Sequence, residues 1–280
     1  MTARLGLAGG RVADPPDAQE PPDCSDASVM FAACLRQGTV DRPQYLWPML
    51  LAARVARALG VPRISAVEFG VAGGNGLLAM EAIAAIAERR TEVTIDVYGF
   101  DTGAGMPAPG DHRDVPWAIR PGWFPMDEVA LRARLTRAQL VLGPVSETVR
   151  SWLGAEPAPL GFASFDLDYY SSTLQAFGVL DASPGRLLPR VACYFDDVFG
   201  YGWSDFNGER AAIADFNRDH ETRKIGKIHG LRFELPQSEA SASWPEKIFL
   251  AHAFDHPLYN AWEGNPAPAW FEAMRLLDET

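Results

Sequence analysis

The chain has few cysteines, few lysines and no long apolar segment. It contains only three cysteines, Cys24, Cys34 and Cys193, an odd number without the CxxC spacing of metal sites. This pattern indicates neither a disulfide framework nor a zinc site, so we expect the three cysteines to be thiols that form no disulfide and bind no zinc. No window approaches the roughly 18 apolar residues of a membrane-spanning helix, and the N-terminus lacks the basic and apolar regions of a signal peptide. We therefore expect a cytoplasmic protein.

Positive charge is also scarce. The 25 lysines and arginines are outnumbered by 36 aspartates and glutamates, which gives a formal net charge of −11. A nucleic acid or an anionic membrane needs a surplus of basic residues on one face of its partner. The charge balance therefore argues against both as partners and favours a small-molecule ligand.

The composition is that of an ordinary globular protein, with 48% hydrophobic and 22% charged residues. Residues 9–26 are rich in proline, glycine and acidic residues, which is typical of a flexible segment. Apolar residues recur at helical spacing in 27–35 and again in 45–59. We predict a flexible leader and a short helix over 1–40, and a single domain over 41–280 that starts with helices. These helices could cap their own domain or dock on a second subunit in a homodimer.

From Arg63 onward, short apolar runs alternate with longer segments of helical periodicity, which is typical of βαβ units around a parallel sheet. We predict strands at 64–69, 93–100, 139–143, 160–166, 190–196, 227–235 and 246–254. We predict helices at about 76–90, 126–137, 146–153, 171–181 and 208–220. The last two strands have no helix between them and should pair antiparallel. This predicts an α/β fold with a Rossmann-like, seven-stranded, mostly parallel sheet, helices on both faces and an antiparallel final strand pair.

The first predicted strand leads into a glycine-rich loop, Glu68–Gly76. Its glycines allow positive φ angles and let backbone N–H groups approach a ligand at the start of the next helix. The run Gly74-x-Gly76-x-x-Ala79 begins several residues after the strand, too late for a dinucleotide fingerprint. The second strand leads into Asp101, whose carboxylate can accept hydrogen bonds from both hydroxyls of a ribose. The alternatives are a loop with packing value only and an aspartate that stabilises a turn.

Glu68-x-Gly70 followed by Asp101 resembles the first and second motifs of class I S-adenosylmethionine-dependent methyltransferases. In that family the loop faces the amino-acid part of the cofactor, and the acid after the second strand accepts hydrogen bonds from the ribose. The resemblance implies S-adenosylmethionine as cofactor. It also implies these cofactor-binding residues: Glu68, Gly70, Val71, Ala72, Gly74, Asp101 and Asp166.

Carboxylates also follow the fourth and fifth predicted strands. Asp166 and Asp168 come after one strand, and Asp196 and Asp197 after the next. Because neighbouring parallel strands end at the same edge of a sheet, Asp166, Asp196 and Asp197 should lie close together, where they repel unless a cation neutralises them. A Mg²⁺ site is one solution. The alternative is that no metal binds, that Asp197 is solvated and that Ser171 or Ser172 caps a helix.

Four segments give a more specific resemblance. The runs GFDTGAGMP (99–107) and FDLDYYSST (165–173), the turn at 184–185 and the run FDD (195–197) together resemble the macrocin O-methyltransferase family. Its members are metal-dependent enzymes that methylate sugar hydroxyls of natural products. The resemblance implies a Mg²⁺-dependent O-methyltransferase that acts on a hydroxyl of a small molecule, a sugar or natural product. It also implies that Asp166, Asp196 and Asp197 hold the metal, with the acceptor hydroxyl bound to it.

The acceptor hydroxyl must also lose its proton to a base. We expect Asp166 to serve as metal ligand and proton acceptor, with Asp168 and Tyr169 as further catalytic candidates. His112 is another candidate base, although an exposed loop histidine is the more ordinary interpretation.

Residues 102–125 are rich in glycine, proline and tryptophan and are too long for an ordinary strand-to-helix connection, which predicts a lid. Trp117, Trp123 and Phe124 could cover a sugar ring or an apolar face, or could anchor the loop on the domain. A second aromatic loop, 199–206, could form the opposite wall. Two other functions remain open: an NAD(P)-dependent oxidoreductase, and a non-catalytic cofactor-binding relative.

Overall fold

The computed structural model describes residues 26–38, 41–200 and 202–261. Cys24, nearly all of the predicted leader and residues 262–280 lie outside the described residues. The α-helices are α1 (Ala27–Arg36), α2 (Pro43–Ala58), α3 (Asn75–Thr91), α4 (Glu128–Arg134), α5 (Val145–Gly154), α6 (Tyr170–Ala176) and α7 (Gly208–Asp219). The strands are β1 (Arg63–Phe69), β2 (Thr94–Asp101), β3 (Gln139–Leu142), β4 (Leu160–Phe165), β5 (Leu187–Phe195), β6 (Arg223–Lys227) and β7 (Ile248–Ala253).

The strands form one sheet in the order β3-β2-β1-β4-β5-β7-β6. The first five of these are parallel, and β7 runs antiparallel to both β5 and β6. The predicted Rossmann-like sheet with an antiparallel final pair is thereby confirmed. The chain moves outward from β1 to β3 and then returns to β4. This change of direction opens a crevice beyond the carboxyl ends of β1 and β4, where ligands bind in open α/β sheets.

Helices cover both faces of the sheet, as predicted. Alternate residues of β1 point to opposite faces: Ile64 and Ala66 belong to a core with α1, α2 and α3, whereas Val67 and Phe69 belong to a core with α5, α6 and α7. The central strands are buried on both faces, which explains their nearly continuous apolar sequences.

The N-terminal helices cap their own sheet. Helix α2 starts with Pro43 in its first turn, where the missing proline N–H costs nothing, and packs on β1, β4 and β5. Its residues Tyr45, Leu46 and Leu50 are fully buried. Within the described ranges, no helix combines the length and the apolar character needed to cross a bilayer.

One strand and one helix end differ from the predictions. Strand β6 ends at Lys227, so the prediction of a strand over 227–235 is wrong. The apolar residues after it belong to a 3₁₀ turn, Leu231–Glu234, which follows Gly230 in a left-handed conformation (φ +78°). Helix α6 ends at Ala176, earlier than predicted, and continues as a 3₁₀ turn. The other predicted elements agree with the structure to within a few residues.

Candidate active site

A cavity of about 470 Å³ opens at the carboxyl edge of the parallel strands. It is lined by segments that follow β1, β2, β3, β4 and β5 and by part of α6. The lining residues are Phe69, Gly70, Ala72, Phe100, Asp101, Thr102, Gly105, Met106, Pro107, Phe124, Gly143, Pro144, Val145, Asp166, Leu167, Asp168, Ser172, Gln175, Asp196 and Asp197. The structure therefore brings the predicted loop, Asp101 and the predicted carboxylates into one space.

The end of β1 is in close contact with the end of β4. Gly70 has a φ of +87°, and a Cβ atom at this position would overlap the carbonyl oxygen of Asp166. The Asp166 N–H in turn donates to the carbonyl oxygen of Phe69, at 2.9 Å. Only glycine satisfies both the backbone angle and the close approach.

Asp101 shapes the loop after β1. Its Oδ2 accepts hydrogen bonds from the N–H groups of Val71 and Ala72, both at 2.9 Å, and its Oδ1 accepts one from Gly103 at 2.7 Å. Asp101 and Ala72 line the cavity, whereas Val71 contributes its backbone to this arrangement and buries its side chain. A carboxylate can accept about four hydrogen bonds, so Asp101 keeps capacity for a ligand hydroxyl.

Glu68 and Gly74 belong to the glycine-rich segment but do not line the cavity. Glu68 is 2% exposed, and its Oε1 accepts a hydrogen bond from the Tyr45 hydroxyl at 2.7 Å. That hydroxyl accepts one from Ser164 at 2.9 Å. Burial raises the pKa of Glu68 to about 8. Gly74 has a φ of +80° just before α3, and a Cβ there would overlap the side chain of Leu131.

Two turns carry the four cavity aspartates: Asp166 and Asp168 follow β4, and Asp196 and Asp197 follow β5. Burial, together with repulsion from Asp196 and Asp168, raises the pKa of Asp166 to about 7. Burial and repulsion from Asp196 raise the pKa of Asp168 to about 6. The pKa of Asp197 is also raised well above its ordinary value, by burial and repulsion from Asp168 and Asp166.

Asp196 has a different environment. Burial works to raise its pKa, but hydrogen bonds from Tyr194 and Lys247 outweigh that effect and lower it. The Lys247 ammonium lies 3.0 Å from Asp196 Oδ1 and also donates to the Asp196 carbonyl oxygen at 2.7 Å. A lysine therefore supplies positive charge at one end of the cluster.

The carboxylates suit Mg²⁺ in chemistry, because that ion prefers oxygen ligands. Their placement does not form a ready-made metal site. Across the ranges that the structure describes, no three histidine, cysteine, aspartate or glutamate side chains are arranged to hold an ion. Asp196 is paired with Lys247, and Asp197 Oδ2 accepts a hydrogen bond from the Asp168 N–H at 3.1 Å.

Tyr169 does not line the cavity. Its side chain is fully buried, and its hydroxyl has no hydrogen-bond partner among the described residues. Ser172 does line the cavity, whereas Ser171 donates from its N–H and its Oγ to Asp114, at 2.8 and 2.7 Å. Helix α6 is therefore capped by Asp114, a residue of the predicted lid, and not by its own serines.

The predicted lid, 102–125, has three parts. Residues 102–107 lie along the cavity, and Phe124 also lines it. The middle part is attached to the domain by the fully buried Asp114 and by Arg113, whose guanidinium stacks 3.8 Å from the centre of the Tyr170 ring. The tip is exposed and includes Trp117, which is 65% exposed.

The exposed tip lies near the second aromatic loop. A Cβ atom at Gly202 would lie 3.7 Å from the Trp117 ring. Phe199 and Phe206 of the second loop are also exposed. His112 is exposed and does not line the cavity.

Sequence reasoning did not identify three residues that hold the site together: Tyr45, Lys247 and Glu209. Each reaches the site from an element distant in sequence, so no local motif marks it. Glu209 is fully buried at the start of α7 and accepts hydrogen bonds from the backbone of both aspartate turns. In the sequence, Glu209 stands out only as an acidic residue in the first turn of a predicted helix.

No protein-family model matches this chain, and no curated protein matches it. Among solved structures, the O-methyltransferase NovP is 18% identical over 66% of this chain and 76% of that chain, with a TM-score of 0.49. The calicheamicin methyltransferase CalS11 is 24% identical over 78% of this chain and 96% of that chain, with a TM-score of 0.48. An apo structure of CalS11, described as a TDP-rhamnose 3'-O-methyltransferase, is 26% identical over 65% and 74%, with a TM-score of 0.39. These TM-scores are below 0.5, so the similarity by itself assigns no activity to this chain.

Proposed function

We propose that this chain is an S-adenosylmethionine-dependent O-methyltransferase that acts on a hydroxyl of a small molecule, a sugar or natural product. One observation carries the proposal. A single cavity joins the Gly70 turn and Asp101, at the ends of β1 and β2, to the four cavity aspartates, at the ends of β4 and β5. A cofactor at the first part and an acceptor at the second would meet inside it.

The sheet supports this assignment. Its order places β7 antiparallel between β5 and β6, so the sheet is not purely parallel. A purely parallel doubly wound sheet is the more usual support for a nicotinamide cofactor.

The charge of the cavity also separates the two cofactors. The described residues that line the cavity include four aspartates in addition to Asp101, and they include no lysine or arginine. A dinucleotide brings a pyrophosphate, whose negative charge these carboxylates repel. A sulfonium is positively charged and is attracted by the same carboxylates. The electrostatics therefore favour S-adenosylmethionine over NAD(P).

Each part of the cavity has a role in this proposal. When bound, S-adenosylmethionine supplies an electrophilic methyl group. Asp101 can accept hydrogen bonds from the ribose, and Phe100, Pro144 and Val145 offer an apolar surface for a flat base. The amino-acid part would lie beside the Gly70 turn, which lines the same cavity.

The acceptor hydroxyl must be oriented and must lose its proton. Ser172 and Gln175 of α6 line the cavity and can bind polar groups of an acceptor. Asp166 and Asp168, with pKa values of about 7 and 6, can accept a proton near neutral pH. Phe124 and the exposed Trp117 can cover a ring.

We also propose that Mg²⁺ binds to Asp166, Asp196 and Asp197. Their oxygen ligands and their mutual repulsion support this. The bound ion would lower the pKa of an acceptor hydroxyl. Tyr194 and Lys247 both donate to Asp196 Oδ1, so Asp196 would offer its Oδ2 to the ion.

Methyl transfer to a panel of neutral glycosides and phenols tests the proposal. With S-adenosylmethionine, we expect a product heavier by one methyl group on oxygen, formed with Mg²⁺ and lost with EDTA. Transfer that continues in EDTA would contradict the metal proposal alone. Oxidation or reduction of an acceptor with NAD(P), without methyl transfer, would contradict the whole assignment.

A further inference from the structure

Glu209 is a buried carboxyl group that the proposed chemistry does not use. It lies in the first turn of α7, is fully buried and does not line the cavity. Burying a carboxyl group is costly unless hydrogen bonds compensate. The hydrogen-bond partners of Glu209 therefore indicate its structural role.

Those partners are the two aspartate turns, one for each oxygen. Glu209 Oε2 accepts a hydrogen bond from the N–H of Asp197 at 2.9 Å, and Oε1 accepts a longer one from the N–H of Leu167 at 3.5 Å. Leu167 lies between Asp166 and Asp168. A single side chain thus connects the backbone that carries one pair of cavity aspartates to the backbone that carries the other.

Two further contacts join the turn after β4 to the turn after β5 and to the start of α7. The Asp168 N–H donates directly to Asp197 Oδ2 at 3.1 Å. Gly208, which precedes Glu209, has a φ of +52°, and a Cβ there would lie 3.1 Å from the carbonyl oxygen of Asp168. The start of α7 therefore packs directly against the first turn.

We infer that Glu209 is a positioning residue of the candidate site. Its carboxyl group ties the turn after β4 to the turn after β5 and so sets the spacing of the four cavity aspartates. The inference deepens the proposed function, on which it rests, because this spacing determines which cation and which acceptor can bind there.

The chain offers a matched control. Glu81 in α3 is also buried, at 6% exposed, and its carboxylate accepts hydrogen bonds from the backbone N–H groups of Thr136, Arg137 and Ala138. These residues precede β3 and do not line the cavity. Glu81→Gln therefore disturbs a buried carboxylate of the same kind away from the site.

The first test compares Glu209→Gln with Glu81→Gln in the full chain. Glutamine keeps the size of the side chain but presents an NH₂ donor to one of the two N–H groups. In Glu209→Gln we expect the amides of Leu167 and Asp197 to exchange with solvent about tenfold faster or more, with no such change in Glu81→Gln. If Glu209→Gln folds poorly, Glu209→Asp serves, because the shorter side chain cannot reach both turns. Unchanged exchange at both amides would overturn the inference.

The second test uses Mg²⁺ and S-adenosylhomocysteine as calorimetric probes. In Glu209→Gln we expect the Kd for Mg²⁺ to rise about tenfold or more, and the Kd for S-adenosylhomocysteine to change by less than about threefold. Glu81→Gln should leave both constants unchanged, even if it lowers the Tm. An unchanged Mg²⁺ Kd in Glu209→Gln would contradict the inference. If the wild-type chain binds no Mg²⁺, the metal proposal fails, and amide exchange alone decides the role of Glu209.

Discussion

At the scale of the residue, Gly70 shows how closely the backbone is packed at the site. The Gly70→Ala substitution places a Cβ on the Asp166 carbonyl oxygen and imposes a positive φ on alanine. We expect a loss of about 2–4 kcal/mol in the free energy of unfolding and a clear loss of S-adenosylhomocysteine affinity. Urea unfolding and calorimetry measure the two effects.

Gly73 in the same loop is the control. A Cβ at Gly73 meets nothing within 4 Å, so Gly73→Ala should bind and unfold like the wild-type chain. Equal behaviour of the two variants would show that the contact between the ends of β1 and β4 does not matter for binding.

Asp196 tests the proposed metal site. Asp196→Ala removes one proposed ligand and leaves Lys247 without its carboxylate partner. We expect Mg²⁺-dependent methyl transfer to fall about 100-fold or more, while the Kd for S-adenosylhomocysteine changes little. Asp205→Ala, at an exposed aspartate of the second aromatic loop, should keep its activity. Full turnover by Asp196→Ala in EDTA would refute the metal mechanism.

The aspartates of the site lie where the sequence pattern predicts strand ends. The four cavity aspartates and Asp101 could be predicted because each ends a strand or lies within three residues of a strand end, and strand ends share one edge of the sheet. Tyr45 could not be predicted, because its hydrogen bond to Glu68 depends on how α2 lies on the sheet. The hydrogen bonds that Asp101 accepts from the loop after β1 likewise depend on the paired register of β1 and β2.

At the scale of the element, the predicted lid is attached to the domain in its middle. Asp114 accepts hydrogen bonds from Gly110 and from the N–H and Oγ of Ser171, at the start of α6. Asp114→Ala should release this attachment, because it removes three hydrogen bonds at a buried position. We expect chymotryptic cleavage after Trp117, at the exposed tip of the loop, to become about tenfold faster.

Asp127 provides the comparison for that experiment. Its side chain caps α4 outside the predicted lid by accepting a hydrogen bond from Ala130 at 3.0 Å. Asp127→Ala should leave cleavage within 102–125 unchanged. Equal cleavage rates in Asp114→Ala and the wild-type chain would mean that other contacts hold the loop.

The strands and helices were predicted well where periodicity was long and unambiguous. The error at β6 has a simple physical cause. The residues 227–235 alternate between polar and apolar side chains, but Gly230 turns the chain away from the sheet. The strand that pairs with β7 is instead the less apolar segment Arg223–Lys227. Pairing with β7, and not the local alternation of polar and apolar residues, therefore sets the position of β6.

At the scale of the whole molecule, the buried carboxyl groups make stability depend on pH. The folded-state pKa values of Glu68, Asp166 and Asp168 are about 8, 7 and 6, above the ordinary values near 4. Between about pH 4 and pH 8 the native state binds more protons than the unfolded state, so the free energy of unfolding falls as pH rises. We expect the free energy of unfolding to be lower at pH 8 than at pH 5.5 by about 2 kcal/mol or more.

Urea unfolding at the two pH values, without added metal, checks this expectation. If Mg²⁺ neutralises the cavity aspartates, its addition should stabilise the chain more at pH 8 than at pH 5.5, because more of the ligands are then ionised. A free energy of unfolding that rises from pH 5.5 to pH 8 would contradict the assignment of raised pKa values to these groups.

Calorimetric titration decides whether the cavity binds S-adenosylmethionine. S-adenosylhomocysteine, S-adenosylmethionine and NAD⁺ would each be titrated into the full chain, with and without Mg²⁺. We predict micromolar binding of the two sulfur compounds and no binding of NAD⁺. Binding of NAD⁺ together with no binding of either sulfur compound would exclude S-adenosylmethionine as the cofactor and would leave the cavity aspartates without an explanation.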